Sequence, residues 1–260
     1  CNGIKSLEVA FSMAILDLWC QQNSYPLYEY LNADPMQAPH TSYTISIGDI
    51  DLISEKVNEG APYSILKVKL GMGVDKDKEI MRAIRLETDK IIRVDANEGW
   101  DLETGIEMCQ WLSEKGVEFV EQPFKSTNLK DTAELRKKSP LPLIADENSL
   151  QSGDIPGIEG IFDGINIKLM KCGSLFEALR MIKMARDRDM KIMLGCMIES
   201  SIGITAAAHL SPLVDYADLD GNLLINNDPY KGVAVEDGKL ILPEGNGLGI
   251  SLNSTDNNLL

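Results

Sequence analysis

Charged side chains close successive apolar segments of this chain at a nearly constant spacing. Lys67 and Lys69 end one such segment, and the ends of the next four are Asp95, Glu121, Asp146 and Lys168. From Lys69 the steps are 26 residues (69 to 95), 26 (95 to 121), 25 (121 to 146) and 22 (146 to 168). Each step is about the length of one strand, one helix and two loops. Because the strands of a parallel barrel all end at one mouth, these side chains should meet there.

Three carboxylates beside lysines predict a Mg²⁺ site with lysines as acids and bases. Mg²⁺ takes oxygen ligands in octahedral geometry and commonly leaves positions for water or substrate. Asp95, Glu121 and Asp146 would supply three oxygens, and a substrate carboxylate would take a remaining position. The two histidines of the chain, His40 and His209, do not lie at these strand ends, which disfavours softer metals. We expect a packing or capping role for His209.

Each of these charged residues has a plainer interpretation when it is taken alone. A lysine at a strand end is most often solvated, and an aspartate after a strand is most often the N-cap of the next helix. Asp101 is better explained as a helix N-cap than as a metal ligand. The joint occurrence of lysines and acids at matching strand ends favours a functional cluster. Side chains alternate across a strand, so Lys67 and Lys69 share one face, and Asp218 and Asp220 share another.

The composition of the chain limits its function classes. A length of 260 residues with 44% hydrophobic residues suits one α/β barrel with a large core. No apolar run is long enough to span a membrane and no secretory signal pattern is present, so we expect a cytoplasmic enzyme. The five cysteines lack CxxC spacing, which argues against a disulfide framework or a zinc site. A net charge of −15 disfavours nucleic acid and anionic membranes as partners, but it is compatible with a small-molecule substrate and with a homo-oligomer.

Strand and helix patterns alternate through most of the chain. Barrel strands are predicted near residues 42–47, 64–69, 91–95, 117–121, 142–146, 164–168, 191–196 and 216–220. Helices are predicted near 75–88, 101–115, 128–138, 174–188 and 202–210, with a short element near 151–157. A hairpin near 233–242 should lie outside the barrel. We therefore expect a helix and connector at 1–40, the catalytic barrel at 41–225, and a hairpin and tail at 226–260.

Several short motifs together resemble the muconate-lactonising subgroup of the enolase superfamily. They are Lys67-Val-Lys, Val94-Asp-Ala-Asn, Glu121-Gln-Pro, Ala145-Asp-Glu and Asn166-Ile-Lys-Leu-Met-Lys, and the similarity spans about residues 5–250. Within the subgroup, the segment from Cys196 to His209 and Asp218-Leu-Asp are similar to the dipeptide epimerases. The resemblance implies a modified TIM barrel of the (β/α)7β type. It also implies an N-terminal α+β capping domain, which we expect to be absent from this chain.

The resemblance further implies Mg²⁺-dependent epimerisation of a dipeptide at the α-carbon of its C-terminal residue, through an enediolate. Lys69 and Lys168 would be the acid and base on the two faces of that carbon, and Lys67 would help to stabilise the developing charge. Nearby Mg²⁺ and the neighbouring lysine should lower the pKa of a lysine toward that of a workable base. Asp218 and Asp220 would hold the free ammonium of a substrate such as Ala-Glu or Ala-X with hydrophobic X. The other implied substrate-binding residues are Thr44, Asn97 and Ile198.

Three alternatives remain at this point. A cycloisomerase or o-succinylbenzoate synthase would share the lysines and the metal site, but would have no reason to keep two acids on strand eight. An N-acylamino-acid racemase is a closer alternative, although a blocked amine would not need those acids either. A non-catalytic, metal-stabilised binding barrel belongs to a different class, and the intact acid/base residues argue against it.

Overall fold

The computed structural model describes residues 3–46, 48 and 50–253. Cys1 and residues 254–260 of the predicted tail lie outside this part of the chain. The four cysteines within it are free: Cys20, Cys109 and Cys172 are buried, and Cys196 is half-buried. In the same part of the chain, no helix combines the length and apolarity that a membrane crossing requires.

Eight parallel strands form the centre of the fold, in the order in which they occur along the chain. They are β1 (Ser42–Ile45), β2 (Ile65–Lys69), β3 (Ile91–Asp95), β4 (Val117–Glu121), β5 (Leu143–Ala145), β6 (Gly164–Lys168), β7 (Lys191–Gly195) and β8 (Tyr216–Asp218). Strand β8 returns to the start of β1 through a parallel bridge between Thr41 and Ala217. The strands therefore form a nearly closed α/β barrel, as the sequence predicted.

Burial on both faces explains why the barrel strands are apolar along most of their length. Strand β6 is buried at every position, since helices cover its outer face and side chains fill the barrel interior. Charged residues occur mainly at the carboxyl ends, where Lys69, Asp95, Glu121 and Lys168 are the last residues of their strands. Four of the five predicted strand ends are therefore confirmed, and the fifth, Asp146, lies one residue beyond the last residue of β5.

Ten helices connect or flank the strands within the described residues. They are α1 (Lys5–Gln22), α2 (Leu27–Tyr30), α3 (Ile53–Glu59), α4 (Val74–Glu87), α5 (Leu102–Ser113), α6 (Leu129–Lys138), α7 (Ile155–Ile158), α8 (Leu169–Cys172), α9 (Leu175–Arg186) and α10 (Ser201–Ala208). The Asp101 carboxylate accepts a hydrogen bond from the Thr104 amide at 2.9 Å, so Asp101 is the N-cap of α5, as predicted.

Two short strand pairs lie outside the barrel. One is the predicted hairpin, formed by β10 (Ala234–Glu236) and β11 (Lys239–Ile241). The other joins β9 (Tyr230–Lys231) to β12 (Ser251–Leu252), also antiparallel. Helix α1 lies against α8 and α9 with one face buried, while its opposite face exposes a row of large apolar side chains, namely Leu7, Phe11, Ile15, Leu18 and Trp19.

The structure differs from the sequence predictions at a few short elements. Strand β8 ends at Asp218, so Asp220 precedes a 3-10 turn (Gly221–Leu224) instead of continuing the strand. Helices α3 and α8 and the β9–β12 pair have no counterpart among the predictions. All of these segments have seven residues or fewer, too short for a periodic pattern to distinguish them from loops.

His209 is a buried residue at the end of α10, in agreement with the predicted packing and capping role. Its ring stacks on Tyr28 with a centroid distance of 5.6 Å, and Nε2 lies 3.1 Å from the Leu248 carbonyl oxygen. Nδ1 is buried and has no hydrogen-bond partner among the described residues. Burial lowers the pKa of His209 to about 4, although the hydrogen bond to Leu248 opposes this shift. The ring is therefore neutral in the folded protein near pH 7.

The neutral state of His209 predicts a loss of stability in mild acid. In the unfolded chain a histidine binds a proton near pH 6.5, whereas folded His209 resists protonation down to about pH 4. The free energy of unfolding should therefore fall as the pH decreases from 6.5 toward 4. Between pH 7 and 5, this residue alone should account for about 2 kcal/mol.

Urea unfolding of the wild type and of His209→Gln at several pH values measures this contribution. The glutamine amide can still donate to Leu248 but does not titrate, so the variant should lose less stability in acid. Parallel pH dependences in the two proteins would contradict the assignment.

Candidate active site

Lys67 lies inside the barrel mouth, where its ammonium faces three carboxylates. Its Nζ is 2.8 Å from Asp218 Oδ2, 2.7 Å from Glu121 Oε2 and 3.3 Å from Asp95 Oδ2. The side chain is only 2% exposed, so this charge depends on its neighbours rather than on water. Burial by itself would lower the pKa of Lys67, but Asp218, Glu121 and Asp95 outweigh it and raise the pKa.

Two further lysines contact the carboxylate that follows strand β5. Lys168 Nζ lies 2.8 Å from Asp146 Oδ2, and Lys171 Nζ lies 2.6 Å from Asp146 Oδ1. Lys171 also lies 3.4 Å from Glu147. Burial would lower the pKa of Lys168, but the charges of Asp146 and Glu121 raise it. The predicted lowering of a lysine pKa depends on Mg²⁺ and a neighbouring lysine. Lys67 does act in that direction on Lys168, but Asp146 and Glu121 act against it and have the larger effect.

Lys69 lies on the other side of the mouth and is more accessible. Its Nζ donates a hydrogen bond to Asp95 Oδ2 at 2.9 Å, and 29% of the side chain is exposed. Strands β2 and β6 are four positions apart in the eight-stranded barrel in either direction. Lys69 and Lys168 therefore project from opposite walls, as the sequence predicted.

The carboxylates at the mouth differ strongly in their pKa. Burial raises the pKa of Glu121 to about 7, and the neighbouring charge of Asp95 adds to the shift. Burial also acts on Asp95, but Lys67 and Lys69 outweigh it and lower its pKa to about 2. The charge of Glu121 is thus less well compensated than that of Asp95. Its Oε2 is close to Lys67 but outside hydrogen-bond geometry, and among the described residues this buried oxygen has no hydrogen-bond partner.

The two predicted acids of the eighth strand also reach the mouth, in different environments. Asp218 accepts hydrogen bonds from Lys67 and, at 2.6 Å, from the Ser42 hydroxyl. Burial opposes ionisation of Asp218, but Lys67 and Ser42 lower its pKa. Asp220 accepts a hydrogen bond from the Thr44 amide at 2.6 Å and has no basic side chain within ion-pair distance among the described residues. Burial and the charge of Asp218 raise the pKa of Asp220 to about 6.

These groups surround one cavity of about 380 Å³, a size that suits a small ligand. The sequence-predicted residues that line it are Thr44, Lys67, Lys69, Asn97, Asp146, Lys168, Ile198, Asp218 and Asp220. The remaining two predicted residues, Asp95 and Glu121, lie just below its surface in contact with Lys67. The structure therefore brings together every residue that the sequence analysis selected.

Known proteins share both the sequence and the fold of this chain. Residues 50–256 match the family model described as Enolase C-terminal domain-like. The chain is 44% identical over 245 residues to the L-Ala-D/L-Glu epimerase of Bacteroides thetaiotaomicron, covering 94% of this chain and 63% of that protein. The chain belongs to the enolase superfamily. Within it, the chain groups with the dipeptide epimerases, as the sequence motifs predicted.

Two other relatives support this grouping. The L-Ala-D/L-amino acid epimerase of Flavobacterium johnsoniae is 41% identical over 243 residues, covering 94% of this chain and 71% of that protein. The dipeptide epimerase of Enterococcus faecalis V583, solved with Mg and the dipeptide L-Leu-L-Tyr, superposes with a TM-score of 0.88 at 33% identity. That superposition covers 96% of this chain and 74% of the solved chain. The chain thus spans 63 to 74% of the length of these superfamily members, and less than two thirds of the Bacteroides thetaiotaomicron relative.

The donor set at the mouth suits the divalent cation of this solved superfamily member. Four lysines (67, 69, 168 and 171) face six carboxylates (95, 121, 146, 147, 218 and 220), an excess of two negative charges when all are ionised. Lysine ammonium groups separate the acids, and no three acid, histidine or cysteine side chains of the described residues are grouped to hold a metal ion. Oxygen ligands with uncompensated charge nevertheless fit Mg²⁺. Asp95, Glu121 and Asp146 therefore stay the predicted ligands.

Two polar contacts in the site were not assigned from the sequence. The Asn166 amide donates to Glu121 Oε1 at 2.7 Å, so Asn166 fixes the orientation of that carboxylate. Lys171 is the second lysine of the Asn166-Ile-Lys-Leu-Met-Lys motif, and it reaches Asp146 because α8 begins directly after β6. Because side chains alternate along a strand, the sequence places Asn166 on the same face of β6 as Lys168. The position of Lys171 depends on a helix of four residues that no periodic pattern indicated.

Proposed function

We propose that this protein is a Mg²⁺-dependent dipeptide epimerase that uses Lys69 and Lys168 as its acid and base. The observation that carries the proposal is that both lysines face one cavity from opposite walls, with acids for a cation and for an ammonium between them. The names of the three relatives support the same reaction class. The proposed substrate is Ala-Glu or Ala-X, where X is a hydrophobic residue.

In the proposed reaction, one lysine removes the α-proton of the C-terminal residue and the other returns a proton on the opposite face. Lys67 places a buried positive charge near the substrate carboxylate. Lys168 can act as a base only when unprotonated, and Asp146 and Glu121 hold its pKa high. The base role therefore requires that something other than Lys168 compensates those two carboxylates. Mg²⁺ held by Asp95, Glu121 and Asp146 would compensate these charges and stabilise negative charge on the substrate carboxylate.

The acids near the end of β8 support a substrate with a free amine. Asp220 has no basic partner among the described residues and lines the cavity beside Thr44. A substrate ammonium would supply the missing positive charge, whereas the blocked amine of an N-acylamino acid would leave it uncompensated. Substrates of a cycloisomerase or of an o-succinylbenzoate synthase carry no ammonium, so the uncompensated charge of Asp220 disfavours these alternatives as well.

Metal removal tests the proposed cation site without relying on turnover alone. Mg²⁺ at about 100 times its Kd should stabilise the folded wild type by ~2.7 kcal/mol, which raises the unfolding midpoint. Asp146→Asn should abolish both this shift and epimerisation. Asp101→Asn, which alters an exposed helix cap, should leave the shift in place. Undiminished epimerisation by the wild type in excess chelator would contradict the metal requirement.

Deuterium exchange in heavy water tests the roles of the two lysines. Lys168→Ala should lower epimerisation by ~10²-fold or more, the usual effect of removing a general acid or base. Lys69 should still exchange the α-proton of one epimer, and Lys69→Ala should show the opposite selectivity. Mass spectrometry of each epimer after incubation measures both rates. Equal residual exchange of both epimers in either variant would refute the two-face assignment.

Substitution of Asp220 tests the proposed ammonium site. A charge-assisted hydrogen bond contributes ~1.5–3 kcal/mol, so Asp220→Asn should lower kcat/KM for a free-amine dipeptide by ~10- to 100-fold. The ratio of kcat/KM for the free-amine dipeptide to kcat/KM for its N-acetylated analogue should therefore decrease. Asp218→Asn is the comparison, because Asp218 also compensates Lys67 and its loss should affect both substrates. An unchanged preference in Asp220→Asn would remove the main support for a dipeptide.

A further inference from the structure

A buried carboxylate outside the cavity joins the two loops that follow strands β2 and β3. Asp77 on α4 is fully buried. Its Oδ1 accepts hydrogen bonds from the amides of Gly71 and Met72 at 3.1 and 3.0 Å. Its Oδ2 accepts from Gly71 at 3.0 Å and from the Trp100 indole at 2.8 Å. One side chain therefore binds the loop after Lys69 and the loop after Asp95.

The same two loops touch through their backbones. Gly71 has a φ of +103°, and a Cβ added there would lie 2.4 Å from the Ala96 carbonyl oxygen. A Cβ added to Gly99 would lie 2.6 Å from the Cα of Gly71. Real Cβ atoms do not approach other atoms so closely, so only glycine fits at either position. The loops are thus held at backbone contact, with Asp77 spanning them.

The carboxylate of Asp77 is compensated by neutral donors alone. Among the described residues no lysine, arginine or histidine lies within ion-pair distance of it, and all its hydrogen bonds come from N–H groups of the two loops. Burying an ionised group in this way costs free energy unless its hydrogen bonds are nearly complete. The loops must therefore keep the positions that supply these donors.

These loops continue directly from two groups of the cavity. Only Leu70 separates Gly71 from Lys69, and the Leu70 amide donates to the Asp95 carbonyl oxygen at 2.8 Å. At the same strand ends, Lys69 Nζ donates to Asp95 Oδ2. Within the described part of the chain, the Asp77 carboxylate makes no hydrogen bond or ion pair with the opposite wall, which carries Lys168. A displacement of these loops would therefore move one acid/base group and leave the other in place.

We infer that Asp77 is a positioning residue for the Lys69 face of the reaction. It fixes the relative position of the β2–α4 and β3–α5 loops, and through them the position of Lys69 against Asp95. Proton transfer depends steeply on geometry, so a small shift of Lys69 should slow exchange at its own face only. This inference rests on the proposed function.

Deuterium exchange of the two separate epimers tests the inference in the full-length protein. Asp77→Asn keeps the shape of the side chain, but its amide nitrogen must face one of the N–H donors. We expect about ten-fold slower exchange of the epimer that is served by Lys69 and less than about two-fold change for the other epimer. Lys168→Ala identifies which epimer Lys69 serves. Asp75→Asn, an exposed aspartate in the first turn of the same helix, is the matched control and should change neither rate.

A general loss of stability cannot imitate this result, since partial unfolding lowers both rates in proportion when they are normalised to total protein. Trp100→Phe removes a single donor and keeps the carboxylate covered, so it provides the same comparison if Asp77→Asn does not fold. Proportional slowing of both epimers, or unchanged rates in both folded variants, would overturn the positioning role alone. Failure of the wild type to exchange either epimer would overturn the proposed function, and the positioning role with it.

Discussion

The compensation of negative charge at the barrel mouth is the constraint on which the site depends. Six carboxylates converge there, and the buried ammonium of Lys67 contacts three of them, Asp95, Glu121 and Asp218. A charge so far from water is tolerated only with close and well-oriented partners. The opposite shifts in the pKa of Asp95 and Glu121 have the same origin, since Lys67 and Lys69 compensate the first more fully than the second. The site is therefore built to receive further positive charge.

Charged groups stay within ion-pair distance of one another only if the loops that carry them are held in place. Polar contacts between neighbouring loops hold them. The Gln122 side chain accepts hydrogen bonds from the amides of Asp146 and Glu147 at 2.9 and 3.1 Å and donates to Asn148 at 2.8 Å. On the preceding pair of loops, Glu98 accepts from the Ser126 amide. Each contact joins one strand end to the next around the barrel. The positions of the charged groups are thus set by neighbouring loops as well as by the strands.

The sequence predicts the strand ends well because two independent patterns agree on them. Apolar runs define strands β2 to β6, and the charged residues that close them, such as Lys69, Asp95 and Glu121, recur at the length of a βα unit. Contacts that depend on short irregular segments leave no such pattern. Lys171 reaches Asp146 only because α8 begins immediately after β6. The eighth strand ends at Asp218, two residues before its predicted end at Asp220. Ser42 and Thr44, which donate hydrogen bonds to Asp218 and Asp220 respectively, each lie 176 residues away in the sequence and leave no local pattern.

The two acids near the end of β8 show why position along a strand does not fix chemistry. Asp218 and Asp220 are the same residue type, two positions apart, and both line the cavity. Lys67 and Ser42 lower the pKa of Asp218 despite its burial, whereas burial and the charge of Asp218 raise the pKa of Asp220 to about 6. The charge of Asp218 is therefore already compensated by Lys67. Asp220 retains an uncompensated charge, so a cationic group of a ligand would gain most by approaching this second acid.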